Sequence, residues 1–530
     1  MAFMLLTTLL VSASPDGGTP SPVSLARALA SELSAGQFEA AVARFDPDVA
    51  KRLPAPALAQ QWKEVVGSLG AFQKLGEVRE EGERVVFVEC LYERASLVLK
   101  IGFDAQLRVT TLRPSSGKPP EAFETAAREF VAQLAAGAWP QAESRFSPQM
   151  LKGLPVESLA KAWGGVVEQS GAFQSVTEVK LDPSHPPYTI VDLTCAFGKE
   201  SQTVRVVFDG ALLISGLFFK PSWNPPAYAT PAAFEERAVS IGSPPWVLPG
   251  TLTLPNGKGP FPVVVLVHGS GPNDADESMG PNKIFKDLAW GLASRKIAVL
   301  RYPKRTFQYR GKLSNADIAT VKEETTDDAL AAVAALAGLK EIDGKRIFVA
   351  GHSMGAGLAP RIAAADARVH GVVLLAGSTR KQWHLVVEQR KYLAGLSGPP
   401  TEAGAAAIRQ AEESAKKLDD PNLQPDAVVD GIAGTYWLDL RKEDPAQTAA
   451  ALKRPILVLQ GERDYQVTMT DFAGWKKALA SRPNATLKSY PALNHHFMPG
   501  TGPSTPAEYE APAHVPVEVV DDLAKWLLAH

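Results

Sequence analysis

Residues 347–358 read Ile347-Phe348-Val349-Ala350-Gly351-His352-Ser353-Met354-Gly355-Ala356-Gly357-Leu358. The first four form an apolar β run, and Gly355 to Ala365 has helical spacing, so G-x-S-x-G stands directly between a strand and a helix. A serine lifted on so sharp a turn needs a strained backbone. Side chains two residues to either side would collide there, which accounts for glycine at 351 and 355. The turn also aims the N–H of Met354 and the helix N-terminus at an oxygen reacting near Ser353. A plain glycine turn has the same letters; the strand-to-helix setting makes Ser353 a candidate nucleophile.

Outward from this stretch, from about Phe234 onwards, short β runs alternate with helical ones. Phe261 to Val267, Ile297 to Arg301, Arg346 to Ala350, Val372 to Ala376 and Ile456 to Gln460 read as strands. Ile284 to Ser294, Thr326 to Leu339, Gly355 to Ala365, Phe472 to Leu479 and Val517 to Leu528 read as helices. This alternation predicts a mostly parallel sheet with helices on both faces. The segment from about Thr379 to Lys453 breaks the rhythm: it is rich in alanine and charge, has helical spacing and shows no clear strand. It is expected to be a cap inserted over the sheet. Trp383, Tyr436 and Trp437 within it either enclose an apolar pocket or pack the cap itself.

A serine hydroxyl is hardly ionised at neutral pH, so Ser353 needs a base, and the base needs a carboxylate to hold it in one tautomer. After a strand-turn-helix nucleophile these partners follow in the order acid, then histidine. The β run Ile456 to Gln460 feeds Gly461-Glu462-Arg463-Asp464, which puts Asp464 at a strand end as the candidate acid. Glu462 is only two residues past the run, and Asp471 is expected to cap the next helix. The β run Thr486 to Tyr490 leads into Pro491-Ala492-Leu493-Asn494-His495-His496-Phe497, where one of the two histidines is the candidate base. After Val263 to Val267, His268-Gly269-Ser270-Gly271-Pro272 forms a glycine-rich loop that can bring a second donor, the N–H of Ser270, beside that of Met354. His268 is expected to orient that loop. Arg301, Lys304 and Arg305 are expected to be solvated or to pack the loop.

Composition removes several classes of function. Lysine plus arginine less aspartate plus glutamate is 55 − 57 = −2 over 530 residues, which gives no field for gathering nucleic acid or anionic lipid. Apolar residues at 45% supply packed cores, so the chain is not read as disordered. Two cysteines rule out a disulfide scaffold, no His/Cys cluster has zinc-ligand spacing, and neither G-x-x-x-x-G-K-[ST] nor G-x-G-x-x-G occurs in a glycine-rich loop. No metal and no cofactor is expected. Met1 to Ala13 is an apolar run without acid, ending in the small residues Val11-Ser12-Ala13 before Ser14-Pro15-Asp16. It reads as a signal peptide, with a secreted or periplasmic product. No later segment reaches about eighteen unbroken apolar residues, so no membrane span is expected.

Self-comparison exposes a repeat ahead of the alternating region. Gly36, Trp62 and Gly70-Ala71-Phe72-Gln73 recur as Gly137, Trp163 and Gly171-Ala172-Phe173-Gln174, where 137 − 36, 163 − 62 and 171 − 70 all give 101. Cys90 and Phe103-Asp104 recur as Cys195 and Phe208-Asp209 at an offset of 105, so four residues are inserted near Pro183 to Pro187. Each copy opens with helical periodicity and ends in β-rich runs, which predicts two α+β modules over 20–116 and 120–221. Their helix-then-curved-sheet pattern resembles the NTF2-like modules that precede some bacterial hydrolases. Cys90 and Cys195 fall mid-strand in separate copies, as buried free thiols. Residues 222–233, opening with Ser222-Trp223-Asn224-Pro225-Pro226, read as an extended linker to the domain over 234–530.

With these residues in place, Phe234 to His530 resembles the bacterial α/β-hydrolase carboxylesterases, in the branch of secreted or envelope esterases fronted by NTF2-like modules. His268 to Ser294, Gly351 to Gly355, Tyr436 to Leu440, Gln460 to Val467 and Leu493 to Phe497 carry the likeness. It implies Ser353 as nucleophile, Asp464 as acid and His495 as base, since the family pattern is Leu-Asn-His, an apolar residue, then Phe. Here His496 stands at the apolar position, and Pro303 stands where the pattern usually has aspartate. The implied function is a serine carboxylesterase taking a small-molecule ester through an acyl-enzyme. The rivals are a serine peptidase or acyl-peptide hydrolase on the same triad, and an envelope ligand-binding protein with a degenerate hydrolase domain.

Overall fold

Val85–Tyr92 alternates half-buried and buried side chains along its whole length, as a strand with one face on a core must. The computed structural model describes residues 21–530 apart from 68, 186–187, 311–312, 314–316 and 397. It places this strand second in an antiparallel meander of β1 (Phe72–Glu81), β2 (Val85–Tyr92), β3 (Ser96–Phe103) and β4 (Val109–Ser116). Helices α1 (Pro22–Ser34), α2 (Phe38–Val42), α3 (Pro47–Arg52) and α4 (Ala55–Val66) precede it. The order recurs as α5 (Pro120–Ala135), α6 (Trp139–Glu143), α7 (Pro148–Gly153) and α8 (Val156–Ser170), then β5 (Phe173–His185), β6 (Tyr188–Phe197), β7 (Ser201–Phe208) and β8 (Ile214–Pro221). Trp62 and Trp163 occupy corresponding places in two separate cores. Cys90 and Cys195 are both buried and free, and burial pushes each thiol up to about 12. The insertion near Pro183 to Pro187 falls partly outside the described residues, and β5 has 13 residues where β1 has 10. The signal-peptide stretch Met1 to Ala13 lies outside them altogether.

The chain divides into two compact units between Ser222 and Trp223. The second opens not as a free linker but with Trp223 docked: its indole N–H donates to Asp287 Oδ1 at 2.7 Å, and its ring stands edge-on to Trp290 at 5.0 Å. There follow β9 (Phe234–Ile241), β10 (Leu248–Pro255), the fully buried β11 (Phe261–Val267), the short pair β12 (Ser278–Met279) and β13 (Asn282–Lys283), and α9 (Ile284–Ala293). After β14 (Ala298–Arg301) and the one-turn α10 (Arg305–Gln308), a π-helical turn over Lys322–Thr326 leads into α11 (Asp327–Ala337). Next come β15 (Ile342–His352), α12 (Met354–Ala365) and β16 (Val369–Leu375). The inserted segment contains α13 (Gln382–Gly395), α14 (Glu402–Asp419), α15 (Gly434–Lys442) and α16 (Pro445–Ala451), with the small hairpin β17 (Val428–Val429) and β18 (Ile432–Ala433), an element its helical spacing does not announce. The chain closes with β19 (Ile456–Gly461), α17 (Met469–Ala478), β20 (Ala485–Tyr490) and α18 (Val517–Ala529).

The sheet order is β20-β19-β16-β15-β11-β14-β10-β9. From β14 to β20 all pairs are parallel; β10 joins β14, and β9 joins β10, antiparallel. The prediction of a mostly parallel sheet omitted this edge pair, because β9 carries Glu235, Glu236 and Arg237 and lacks an unbroken apolar run. One core packs α11, α12 and α17 on one face, and a second packs α9 and α18 on the other. Among the described residues no helix is long and apolar enough to cross a membrane.

Candidate active site

β15 ends at His352 and α12 begins at Met354, leaving Ser353 between them at φ 53° and ψ −117°. For a non-glycine residue that region costs about 1–3 kcal/mol and persists only where the surroundings enforce it. They do so here by interlocking: a Cβ on Gly351 would overlap the Gly355 carbonyl, and one on Gly355 would overlap the carbonyls of Val267 and His268 at the end of β11. The two glycines therefore let the central strand, the turn and the helix close on one another.

Asp464 lies three residues past β19 with its carboxylate enclosed. Oδ1 accepts the N–H groups of Gln466 at 2.7 Å and Val467 at 2.9 Å, while Oδ2 accepts from the Gln460 amide at 3.0 Å and faces His495 Nδ1 at 2.7 Å. A carboxylate only accepts, so Nδ1 carries the proton and Nε2 is the basic nitrogen. His495, not His496, meets the acid. Asn494 sets that register: its Oδ1 accepts the N–H groups of His496 and Met498, and its Nδ2 donates to Glu508 at 2.9 Å. His496 is held well below its ordinary pKa by burial and by the neighbouring His352 and His495. The rivals to Asp464 are engaged elsewhere. Glu462 accepts from Ser489 at 2.7 Å. Asp471 does not cap α17, whose N-cap is Thr468. It is the third helical residue, fully buried, and accepts from Ser378 Oγ, the Thr379 N–H and the Arg380 guanidinium at 2.8–3.1 Å.

Ser270, Ser353 and Met354 line one cavity of about 130 Å³, whose apolar wall includes Leu358, Leu385, Leu440 and Val467. Among the described residues neither the Ser270 N–H nor the Met354 N–H has a protein acceptor. Two bare donors therefore border the space in front of Ser353. The loop that carries Ser270 is held from below by a buried pair that no sequence motif marks. Glu277 Oε1 accepts the Gly269 N–H at 2.6 Å, and its Oε2 lies 3.2 Å from His352 Nδ1. His352 Nε2 in turn is 3.0 Å from the His495 carbonyl oxygen. Oε2 and Nδ1 approach without hydrogen-bond geometry, so the contact acts through charge and favours the imidazolium of His352 beside the Glu277 carboxylate. Burial opposes that charge state in both residues, but their mutual attraction outweighs it: Glu277 falls to about 2 and His352 rises. His352 is the variable residue of G-x-S-x-G, and Glu277 lies inside the His268 to Ser294 stretch without a motif position of its own.

His268 orients its loop as expected, with Nε2 2.9 Å from the Asp274 carbonyl oxygen and a pKa lowered to about 4 by burial. Of the two readings for Arg301, Lys304 and Arg305, packing is the one found. All three are buried, Arg301 against Asp276 and Glu236, Lys304 against Glu324, and Arg305 against Asp328. The cap aromatics divide. Trp383 packs the cap core with Leu418 and Val429, its indole N–H on Asp419. Tyr436 and Trp437 border a second cavity, of about 280 Å³, which also touches Ser270.

Residues 26–112 and 127–217 match a family described as a protein of unknown function (DUF3887), and residues 264–526 match one described as alpha/beta hydrolase family. Esterase EstD of Thermotoga maritima is 38% identical over 411 residues, covering 77% of this chain and 96% of its own length. The second unit has 530 − 222 = 308 residues, so that match extends well into the first unit. Among solved structures, an esterase from Pyrococcus furiosus is 19% identical over 58% of this chain and 98% of its own, with a TM-score of 0.36. Est1E from Butyrivibrio proteoclasticus is 18% identical over 55% and 99%, with a TM-score of 0.37. From a near full-length relative and a sheet, turn and loop arrangement of this kind, the chain belongs to the α/β-hydrolase family.

Proposed function

We propose that the protein is a serine carboxylesterase that hydrolyses small to medium carboxylic esters through an acyl-enzyme. The observation that carries this reading is the enclosed Asp464–His495 pair at 2.7 Å, on the same end of the sheet as a strained Ser353 bordered by two bare N–H donors. Ser353 Oγ attacks the ester carbonyl as His495 Nε2 takes its proton; the oxyanion falls between the N–H groups of Ser270 and Met354. Collapse breaks the bond to the alcohol, which leaves with the proton from His495. Water, deprotonated by the same nitrogen, then releases the acid and regenerates Ser353. The esterase name of the Thermotoga relative supports an ester substrate, and the apolar wall of the cavity supports a small acyl or alcohol group.

An amine leaving group needs full protonation and a peptide must be held in register, so esters are expected to react far faster than amides. The test is a panel of p-nitrophenyl esters beside aminoacyl anilides, with mass spectrometry of the protein after exposure to diisopropyl fluorophosphate. Faster turnover of p-nitrophenyl butyrate and an adduct on Ser353 are expected. An equal or greater kcat/KM on anilides makes it a peptidase, and an adduct on another serine removes the triad.

A further inference from the structure

The Ser270 N–H is one end of a peptide whose other end is the Gly269 carbonyl. A trans peptide is planar and its C=O and N–H point in opposite directions, so whatever grips the oxygen also aims the N–H. What grips it is Lys304, 2% exposed, whose Nζ donates to Gly269 O at 3.0 Å and sits 2.9 Å from Glu324 Oε1. Asn273 Nδ2 adds a longer bond to the same oxygen at 3.3 Å. The preceding peptide is fixed through the Gly269 N–H on Glu277. Gly269 is closely packed as well: a Cβ there would stand 3.1 Å from both Ser353 Cβ and Glu277 Oε1, tighter than ordinary contact.

From this geometry we infer that Lys304 is a positioning residue of the oxyanion site, which orients the Gly269–Ser270 peptide and strengthens its N–H as a donor. An ammonium on an amide oxygen draws electron density from the amide and leaves the N–H more positive. A buried lysine–glutamate pair gives little stability over apolar residues of the same volume, so packing alone does not account for one at this place. Glu324 is the counter-ion, on the π-helical turn ahead of α11, and its second oxygen accepts the Tyr436 hydroxyl of α15 at 2.7 Å. The same chain of contacts thus ties the inserted segment to the oxyanion loop. This inference rests on the serine reading of the site.

Two full-length variants test it. Lys304→Met removes the ammonium at nearly constant volume but leaves Glu324 buried and unpaired. Lys304→Met/Glu324→Gln removes both charges and keeps an acceptor for Tyr436. Loss of a whole oxyanion donor costs about 10²–10³ in kcat, and loss of its orientation is expected to cost about 10- to 100-fold. In the double variant, with wild-type circular dichroism, kcat on p-nitrophenyl butyrate should fall at least fivefold while KM stays within about threefold. Affinity for butylboronic acid, a tetrahedral mimic, should weaken by a similar factor. A double variant whose kcat falls less than fivefold overturns the inference, including the case where Lys304→Met alone is impaired, since the defect then belongs to the stranded carboxylate. A loss carried by KM, with boronic acid affinity kept, overturns it as well. Failure of the serine reading is seen separately, as absence of the fluorophosphate adduct from Ser353 in the wild type.

Discussion

Ser353→Ala leaves the strained turn without a nucleophile while keeping the glycines that enforce it, so kcat should fall by up to about 10⁶ with thermal stability unchanged; a variant retaining a tenth of the wild-type rate ends the assignment. His495→Ala should be similarly inactive, and His496→Ala should lose less than tenfold, because only His495 faces Asp464. Loss of activity in His496→Ala alone would reverse that register. Ser353, Asp464 and His495 stand out in the sequence as candidates because each follows a strand run, where sheets of this kind present functional groups. The choice between the histidines came from the family's Leu-Asn-His pattern, and Asn494 supplies its physical reason by binding the N–H groups of His496 and Met498. Glu277 and His352 escaped because their contact joins residues 75 apart with no local pattern. Their pairing gives a pH signature. Glu277, lowered to about 2 from an ordinary value of about 4.3, contributes stability that is full above about 4.3 and lost as pH falls through its folded value. His352, raised above about 6.5, contributes stability that is full below that and lost as pH climbs through its folded value. Glu277→Gln should therefore destabilise by about 3 kcal/mol near pH 5.5, and the gap should narrow towards pH 3 and pH 9. Urea melts at the three pH values check this; a constant gap means the pair is uncharged.

Among the elements, the alternation of strand and helix was readable because a strand buried on both faces, such as β11, is a continuous apolar run. The edge pair β9 and β10 was not, since an edge strand keeps charge and needs no such run. The inserted segment was recognisable by its composition, but its attachment was not, as Asp471 shows. Its partners Ser378, Thr379 and Arg380 lie about ninety residues earlier, at the start of that segment, so the residue looked like a local helix cap. Its carboxylate ties the point where the insertion leaves the sheet to α17, and Arg380 and Lys381 beside it border the cavity. Asp471→Ala removes the acceptor shared by Ser378, Thr379 and a part-exposed Arg380, which keeps its pairing with Glu388, and is expected to cost about 1–3 kcal/mol. Because the strap it releases carries cavity residues and no candidate triad group, KM for p-nitrophenyl butyrate should rise more than kcat falls. A variant with wild-type melting temperature and KM would show that the segment is held by its other contacts, such as those of Lys381 with the Arg441 and Glu443 carbonyls.

On the scale of the whole molecule, every candidate catalytic group lies in the second unit, and each module of the first has its own core. Separation of the chemistry from the modules is therefore expected, but where the chain is cut matters. A boundary read from the sequence falls in the proline-rich stretch Pro225-Pro226, which invites a fragment starting at Ala227. That fragment discards Trp223, whose ring is packed on Trp290 and whose N–H fills one acceptor site on Asp287, a carboxylate with no exposure that also takes the Val515 N–H and faces His514. Loss of a hydrogen bond to a buried charged group costs about 1.5–3 kcal/mol, and the aromatic contact adds about 0.5–1.5 kcal/mol. Asp287 sits on α9, which covers one face of the sheet, so the cost falls on the core under the site. A fragment of residues 222–530 is expected to hydrolyse p-nitrophenyl butyrate within about threefold of the full chain. One of residues 227–530 should keep its kcat at 25 °C yet unfold at about 2–4 kcal/mol less, and Trp223→Ala in the full chain should reproduce that loss. Equal stability of the two fragments would show that Trp223 is only seated on the surface; a folded but inactive 222–530 would show that the modules contribute to the site.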